Sequence, residues 1–530
     1  MTEWFPLHNR THYSLLKGFS KPEELVKRCV DNGYRLCGIA DFKSLAGTVA
    51  FSKKCEAKSI RPVLGCSFDT YQLYALNDSG WNELIKVVSS IDTTGTESAV
   101  LRDELLANGN MIRVDKQDGA VQKTCYVDQS QAELHRILLA SEMKATLRKA
   151  KKLAAGEEDF WCKEFFLTDN YYVPNADESA TINDPEGMAI LQEIESRLED
   201  YSILNPPMLP TFPTPNGETE EEYLKEMCRE GWRKFVNGNN FSKEKKQEYL
   251  DRFNKEFSVI ENANLFGYFL IVQDIMNYAK KNGWMTGPGR GSAAGCLISY
   301  LIGITQIDPI EYDLIFERFF NAGRSSKGHV SLPDIDMDLP KRCRQKIVDY
   351  VKEQYGEDRV CQMITLGRLQ GRSAVKEVAR VTEACHHAEV NEITKYIPDE
   401  ADIADELQVM DEEDRSIIRW ALEFGNKNLK DFCYIEDGEF HGPHAELFKT
   451  AIEIEGTFKS QGKHAAGVVI SQEPLQDVCP MTRDKEGNPI AALEMSGLED
   501  LGHVKFDFLS INYLDKTMCT EELIGERTNG

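Results

Sequence analysis

Asp334, Asp336 and Asp338 fall at every second position of S-L-P-D-I-D-M-D-L, residues 331–339, with Ile335 and Met337 between them. In a β-strand alternate residues share a face, so the carboxylates would line one side while Ile335 and Met337 enter a core. Such a row repels itself unless a counter-charge lies nearby. Divalent cations supply one, and Mg²⁺ suits the role because it is hard, oxygen-seeking and commonly held by one or two carboxylates plus substrate phosphates. An exposed acidic strand edge is the plain alternative. In V-K-F-D-F-L, residues 504–509, Val504, Phe506 and Phe508 share one face and Lys505 and Asp507 the other. Asp507 could join the acidic row from a neighbouring strand; taken singly it is an ordinary strand aspartate.

Two further segments could meet phosphate. In G-P-G-R-G-S-A-A-G, residues 287–295, glycines permit close backbone approach and a following helix would point its N–H groups at an anion. Ser292 sits where an N-cap or phosphate-binding hydroxyl would be. Gly289 to Ala294 also fits the dinucleotide pattern G-x-G-x-x-A, with Asp308 about 20 residues on. That fingerprint must follow a buried strand, whereas here a helix ends near Asn282 and only Trp284 to Thr286 intervene. Walker A fails for want of Gly-Lys-Ser/Thr, and the segment alone reads as a tight turn opening a helix. Arg368, Arg372, Lys376 and Arg380 recur at four-residue spacing, a basic stripe on a helix that would suit a phosphate backbone or form a solvated face. Cys385-His386-His387 lacks a second pair at zinc-finger spacing and reads as a helix-end coincidence.

The elements that must position these residues follow from patterning. At 530 residues, 41% hydrophobic and 28% charged, the chain has the composition of a globular protein of about three or four domains of ~100–200 residues. Its net charge of −25 argues against nucleic-acid binding by the whole surface, so any DNA contact must be local. No apolar run spans a bilayer and MTEWFPLHNR lacks a secretion core, which gives the expectation of a cytoplasmic protein without a membrane. The 14 cysteines are scattered without CxxC spacing and read as reduced thiols. Residues 1–90 show βα repetition: apolar Leu36–Ala40, a helix over Leu45–Lys58, then Arg61–Phe68. Residues 91–125 turn polar, as a loop or a degraded part of the domain, and helical periodicity returns over Gln131–Ala154. The proline-rich N-P-P-M-L-P-T-F-P-T-P-N-G, residues 205–217, reads as a linker and first boundary. Helices are expected over Thr219–Asn237, Lys243–Asn262, Tyr268–Lys281 and Cys296–Ile302, a charged helical stretch over Val360–Gly456, strands around A-A-G-V-V-I-S and H-V-K-F-D-F-L, and a last helix over Leu514–Glu526.

Taken together and in order, GPGRGSAAG, LIFERFFN with Arg324, LPDIDMD, ITLGRLQGRSAVKEVAR, GKHAAGVVIS and VKFDFL resemble the C-family replicative DNA polymerases, the alpha subunit of bacterial DNA polymerase III. The likeness covers essentially the whole chain, weakly over the first two hundred residues and strongly from about Asn262. It implies an α/β architecture: a polymerase-and-histidinol-phosphatase (PHP)-like (βα) barrel over 1–203, a polymerase-β-like nucleotidyltransferase palm over 204–365 and 459–530, and an inserted, mostly helical thumb over 366–458. By the same likeness Asp334, Asp336 and Asp507 fall on catalytic, metal-holding positions. Gly291 and Ser292 fall on the triphosphate-binding turn, and Lys463-His464 and Lys505 on basic active-site motifs. Asp338 belongs to the pattern without being a ligand. The implied chemistry is two-Mg²⁺ transfer of a nucleotide from dNTP to a primer 3′-hydroxyl, with ions roughly 3.5–4 Å apart. Arg290, Arg324 and Lys505 would offset phosphate charge, and the Arg368 to Arg380 stripe would hold primer-template DNA.

The N-terminal motifs F-P-L-H-N-R-T-H-Y-S-L-L-K-G, G-I-A-D-F and R-P-V-L-G-C-S-F resemble the PHP domain with a broken metal pattern. His8 and Asp41 remain. Arg10 stands in place of a histidine, Phe42 where one often follows the aspartate, Ser67 in place of a glutamate, and Lys123 and Cys125 at an Asp and a His position. Arginine and lysine cannot replace neutral imidazole and carboxylate as ligands, so a scaffold without phosphoesterase activity is expected. The family's fingers, clamp-binding and oligonucleotide-binding segments lie beyond the Asp507 motif, which gives the expectation of a second polymerase chain as partner, with a proofreading exonuclease subunit as another. The contrasting expectation is a noncatalytic PHP and palm platform that binds other replication proteins.

Overall fold

The computed structural model describes residues 3–92, 94–115, 122–156, 160–182, 184–236, 238–239, 241–320, 332–411 and 414–529, with side chains to residue 525. The chain divides into two compact units, Met1–Ile203 with Leu366–Gly462 and Leu204–Thr365 with Lys463–Gly530. The helical stretch after residue 366 therefore packs with the N-terminal region. The proline-rich stretch belongs to the second unit and is tied down there, the amides of Asn205 and Met208 donating to the carbonyls of Asp500 and Gly502 at 2.9 and 2.8 Å.

In the first unit four strands, β1 (Leu36–Phe42), β2 (Arg61–Ser67), β3 (Tyr71–Ala75) and β4 (Met111–Asp115), form one sheet in that order. β1 and β2 are parallel, joined by the helix Thr48–Lys58, and β1 is buried through Asp41, as a parallel strand covered on both faces must be. β3 and β4 then run antiparallel. A hairpin at Phe68–Tyr71 stands where a crossover helix would continue βα repetition, and the described strands here form open ladders. The polar stretch 91–125 is not simply a loop: it holds the helix Ala99–Leu106 and β4, whose Met111, Ile112 and Val114 are buried. Five residues are too few to show a strand pattern against a polar background. The helix expected over 131–154 is two, Ala132–Glu142 and Leu147–Ala155. Lys144 turns left-handed at φ 53° and Thr146 caps the second helix by accepting from the Lys149 amide.

The second unit is built on a six-stranded sheet of β5 (Asp336–Pro340), β6 (Val360–Arg368), β7 (Phe458–Ile470), β8 (Met481–Arg483), β9 (Pro489–Ala491) and β10 (Val504–Ile511). Its order is β8-β9-β6-β7-β10-β5, so the acidic strand β5 forms one edge. β5 pairs parallel with β10, Asp336 opposite Asp507, and β10 pairs antiparallel with β7, Asp507 opposite Gly467. Ile335, Met337, Leu339, Phe506 and Phe508 are buried in one core with Phe269, Ile271, Val272 and Ile275 of the helix Phe266–Lys281. The apolar faces of β5 and β10 thus fix register, since a one-residue slip would place carboxylates in that core. The cysteines are free thiols, buried except Cys385 and Cys519.

Candidate active site

The alternation that buries Ile335 and Met337 turns the intervening carboxylates to the other face. Asp334, just before β5, is exposed, Asp336 is half-buried and Asp507 is buried; each offers an oxygen within 4.8 Å of the others. Among the described residues, this is the one group of three such side chains able to hold a metal. Three points within 4.8 Å of one another have a centre within about 2.8 Å of each, so small side-chain rotations bring all three to the ~2.1 Å of a Mg²⁺–oxygen bond. Burial first, and then the charge of Asp507, raises the pKa of Asp334; burial, Asp334 and Asp507 raise that of Asp336. Asp507 Oδ2 is paired with Lys505 Nζ at 2.6 Å, whereas its Oδ1 is buried without a hydrogen-bond partner. An unpaired buried carboxylate oxygen carries a desolvation cost, and a cation is the partner that fits an all-oxygen anionic donor set. The residues present therefore fit a divalent ion.

Tyr268, which the sequence reading did not single out, supports the row from below. Its buried hydroxyl accepts the Ile335 amide at 3.1 Å, and its ring stacks on Phe506 at 5.4 Å between centroids. Within an apolar helix a tyrosine looks like any core aromatic, so only the partner across the fold reveals the role. Arg344 donates to the carbonyls of Phe508 at 3.2 Å and Ala466 at 3.3 Å, bridging β10 and β7 beside Asp507.

The glycine-rich segment lies against the same strand. The Gly287 amide donates to the Asp338 carbonyl at 3.0 Å, and a Cβ at Gly287 would come within 2.5 Å of the Asp338 Cβ. Asp338 binds Arg290 through both carboxylate oxygens, at 2.7 and 3.3 Å. Gly291 takes φ 56°, and Gly291–Gly295, including exposed Ser292, form a 3₁₀ turn before the short helix Leu297–Leu301. No strand precedes the turn, and Asp308 accepts from the Tyr249 hydroxyl at 2.5 Å and the Ile310 amide at 3.0 Å, so the dinucleotide fingerprint is discarded. Arg324 lies outside the described residues.

The other basic candidates divide. Lys505 joins the acidic group, whereas Lys463 is held by Asp484 at 2.8 Å in the turn between β8 and β9. His464 Nδ1 accepts the amides of Ala466 and Gly467 at 3.2 and 2.7 Å. Burial and then Lys505 hold the imidazole below its ordinary pKa. The four-residue stripe is broken: Arg368 ends β6, and the helix begins only at Arg372, because Gly371 takes φ 46°. Arg372 is spent on the Ile397 carbonyl and Asp399, and Arg380 on Glu377; exposed Lys376 shares the helix. Cys385, His386 and His387 form no metal group.

At the PHP positions Asp41 accepts from the Thr11 amide at 2.7 Å and the hydroxyls of Thr11 and Ser14 at 2.8 and 2.6 Å. Buried Arg10 donates to Ser67 at 3.1 Å, and Lys123 pairs with Glu164 at 2.6 Å. His8 is buried nearby in sequence. The hydroxyls on Asp41 come from Thr11 and Ser14, 30 and 27 residues earlier, a separation that leaves no spacing signal in the sequence.

With this geometry in place, comparison with known proteins is decisive. Residues 222–510 match the family model of the bacterial DNA polymerase III alpha NTPase domain, and residues 6–173 that of the PHP domain. The chain belongs to the bacterial DNA polymerase III alpha family. It is 29% identical to the DNA polymerase III subunit alpha of Aquifex aeolicus over 98% of its own length, 29% to that of Bacillus subtilis over 99%, and 30% to that of Ureaplasma parvum over 99%. It spans about half the length of these polymerase III alpha relatives, 52%, 50% and 52% respectively. The acidic group and glycine-rich turn both fall inside the segment matched by the NTPase-domain model.

Proposed function

We propose that the second unit is the nucleotidyltransferase palm of a DNA-directed DNA polymerase and that Asp334, Asp336 and Asp507 hold its two Mg²⁺ ions. The observation that carries this reading is the convergence of three carboxylates on one strand pair, with Asp507 Oδ1 buried and unpaired. When bound, the ions would lower the pKa of a primer 3′-hydroxyl and stabilise the leaving pyrophosphate of a dNTP. The chain's own part is electrostatic and positional. β5 and β10 fix the spacing of the carboxylates, Asp338 aims Arg290, and Arg290 and Lys505 offset triphosphate charge beside the Gly291–Ser292 turn, a role shared by Arg324. Lys463 and His464 form the basic border, His464 as a neutral ring. Arg368 and Lys376, with Arg372 and Arg380 in a structural part, serve primer-template DNA.

The first unit then acts as PHP-like scaffold and thumb, its metal positions closed by Arg10, Lys123 and the hydroxyls on Asp41. Positioning of nucleotide and template, worth effective molarities of ~10⁵–10⁸ M, is assigned to polypeptide matching the relatives' remaining half, joined to this chain or separate. A proofreading exonuclease subunit is a further proposed partner. Primer extension tests the reading: the chain combined with the C-terminal half of the Aquifex aeolicus relative should incorporate nucleotides, and Asp334→Asn should abolish this. Absence of synthesis from folded protein would leave the noncatalytic platform, and synthesis undiminished by Asp334→Asn would overturn the role given to Asp334.

A further inference from the structure

A cavity of about 540 Å³ lies wholly within the first unit, and neither Asp41 nor Arg10 lines it. That volume is within the ~300–1,000 Å³ of small-molecule sites. Lys21, Lys54, Arg368 and Arg415 border it. Of the bordering carboxylates, Glu23 is paired with Lys54 at 2.9 Å. Glu455 is buried, accepts from the Gly371 amide and the Ser416 hydroxyl, and is pushed toward its neutral form by burial. Lys21 also faces Glu24, outside the lining, at a looser 3.7 Å, and Glu400 is left as the opposing carboxylate against the guanidinium groups of Arg368 and Arg415, so the lining favours an anion. His12, also in the lining, is only 8% exposed, and its Nδ1 is buried with no hydrogen-bond partner. Burial, then Lys21 and Arg368, lower the imidazole pKa to about 3, so the ring is neutral and carries one N–H donor.

An unpartnered buried nitrogen, bordering cations and a partly open cleft of this size describe a place for a compact polyanion. Guanidinium groups match phosphate oxygens two at a time, and lysine adds a point charge; a single carboxylate would answer only one of these cations. We propose that this cavity binds a small phosphorylated ligand of the pyrophosphate or nucleoside diphosphate class, with Arg368, Arg415 and Lys21 on its phosphate oxygens and His12 as a neutral hydrogen-bonding partner.

The experiment is calorimetric titration of the full chain with pyrophosphate and with ADP, in EDTA so that no divalent ion bridges them to the acidic group. Binding of either is expected, weakened tenfold or more in Lys21→Gln/Arg415→Gln and unchanged in Asp336→Asn. In protein labelled with [¹³C]histidine, the His12 ring resonance should move on addition of the same ligand, and its apparent pKa should rise because an anion now offsets the two cations. The proposal is overturned by absence of binding, by equal affinity of the pocket variant, by loss of binding in Asp336→Asn, or by an unmoved His12 signal. Displacement of the His12 signal by duplex DNA but by neither small probe would make the cavity a DNA-backbone subsite and would equally overturn it.

Discussion

Asp336→Asn removes one of three crowded carboxylates while keeping its shape, and the consequence for stability has a definite sign. Two unit charges 4.8 Å apart repel by about 3.5 kcal/mol at an effective dielectric constant of ~20 and by about 0.9 kcal/mol in bulk water. Asp334 is exposed and Asp336 half-buried, so solvent screening brings the sum of the two repulsions that Asp336 makes down to about 1–2 kcal/mol. Without divalent ions the variant should therefore be more stable than the wild type at neutral pH, contrary to the usual direction of a polar substitution. For a unit of about 230 residues, each kcal/mol moves the melting midpoint by ~2–4 °C, giving a rise of about 2–8 °C. Mg²⁺ should raise the midpoint of the wild type, by mass action on the folded state, and leave the variant nearly unmoved. Scanning calorimetry in EDTA and in millimolar Mg²⁺ measures both shifts. A lower midpoint for Asp336→Asn in EDTA, together with an undiminished Mg²⁺ effect, would refute the argument that these carboxylates repel one another and await a cation.

The raised pKa values of Asp334 and Asp336 also fix a pH dependence. Their contribution to metal-free stability is present below the ordinary carboxylate value and is lost as pH rises through the raised one, so calorimetry in buffers of different ionisation enthalpy should show Mn²⁺ binding releasing protons at acidic pH and progressively fewer as pH rises past the raised values. Asp338→Ala should release Arg290 and raise the dNTP KM of the complemented enzyme several-fold with kcat little changed, as steady-state primer extension would show. At the PHP positions, Arg10→Met should cost about 1–3 kcal/mol in denaturant unfolding, because it takes the donor from buried Ser67 and removes the nearby positive charge that offsets buried Asp41, whereas His8→Ala should change no phosphoesterase activity. Lys376→Glu should lower the salt slope of DNA binding by roughly one unit, read by fluorescence anisotropy at several salt concentrations; an unchanged slope would make the residue merely solvated.

The acidic group was legible in the sequence because a period of two is itself geometry: Asp334 and Asp336, separated by buried Ile335, must share a face wherever Met337 finds a core. Asp507 was legible for the same reason, through Phe506 and Phe508. The cross-strand partners were not. Nothing in the order of residues says that Asp507 sits opposite Asp336 on one side and Gly467 on the other, that Tyr268 holds the Ile335 amide, or that Asp338 is engaged with Arg290; these depend on register between distant segments. The basic stripe misled because four-residue spacing implies a face only if the helix is continuous, and Gly371 starts the helix after Arg368. At 205–217 the composition marks where the first unit ends, at Ile203, but backbone hydrogen bonds from Asn205 and Met208 to Asp500 and Gly502 outweigh the flexibility suggested by proline and glycine. The strand Met111–Asp115 was hidden by its length, its apolar residues being too few to register amid the polar stretch.

Mn²⁺ binding to the full chain, measured by water-proton relaxation or electron paramagnetic resonance in wild type, Asp336→Ala and Asp338→Ala, tests the central claim most directly, since Asp336 and Asp338 are neighbours of identical chemistry on one strand and only the first is assigned to the ion. Saturable binding to the wild type, lost or weakened at least tenfold in Asp336→Ala and retained in Asp338→Ala, is the predicted result. Equal binding by wild type and Asp336→Ala, or equal loss in both variants, would contradict it.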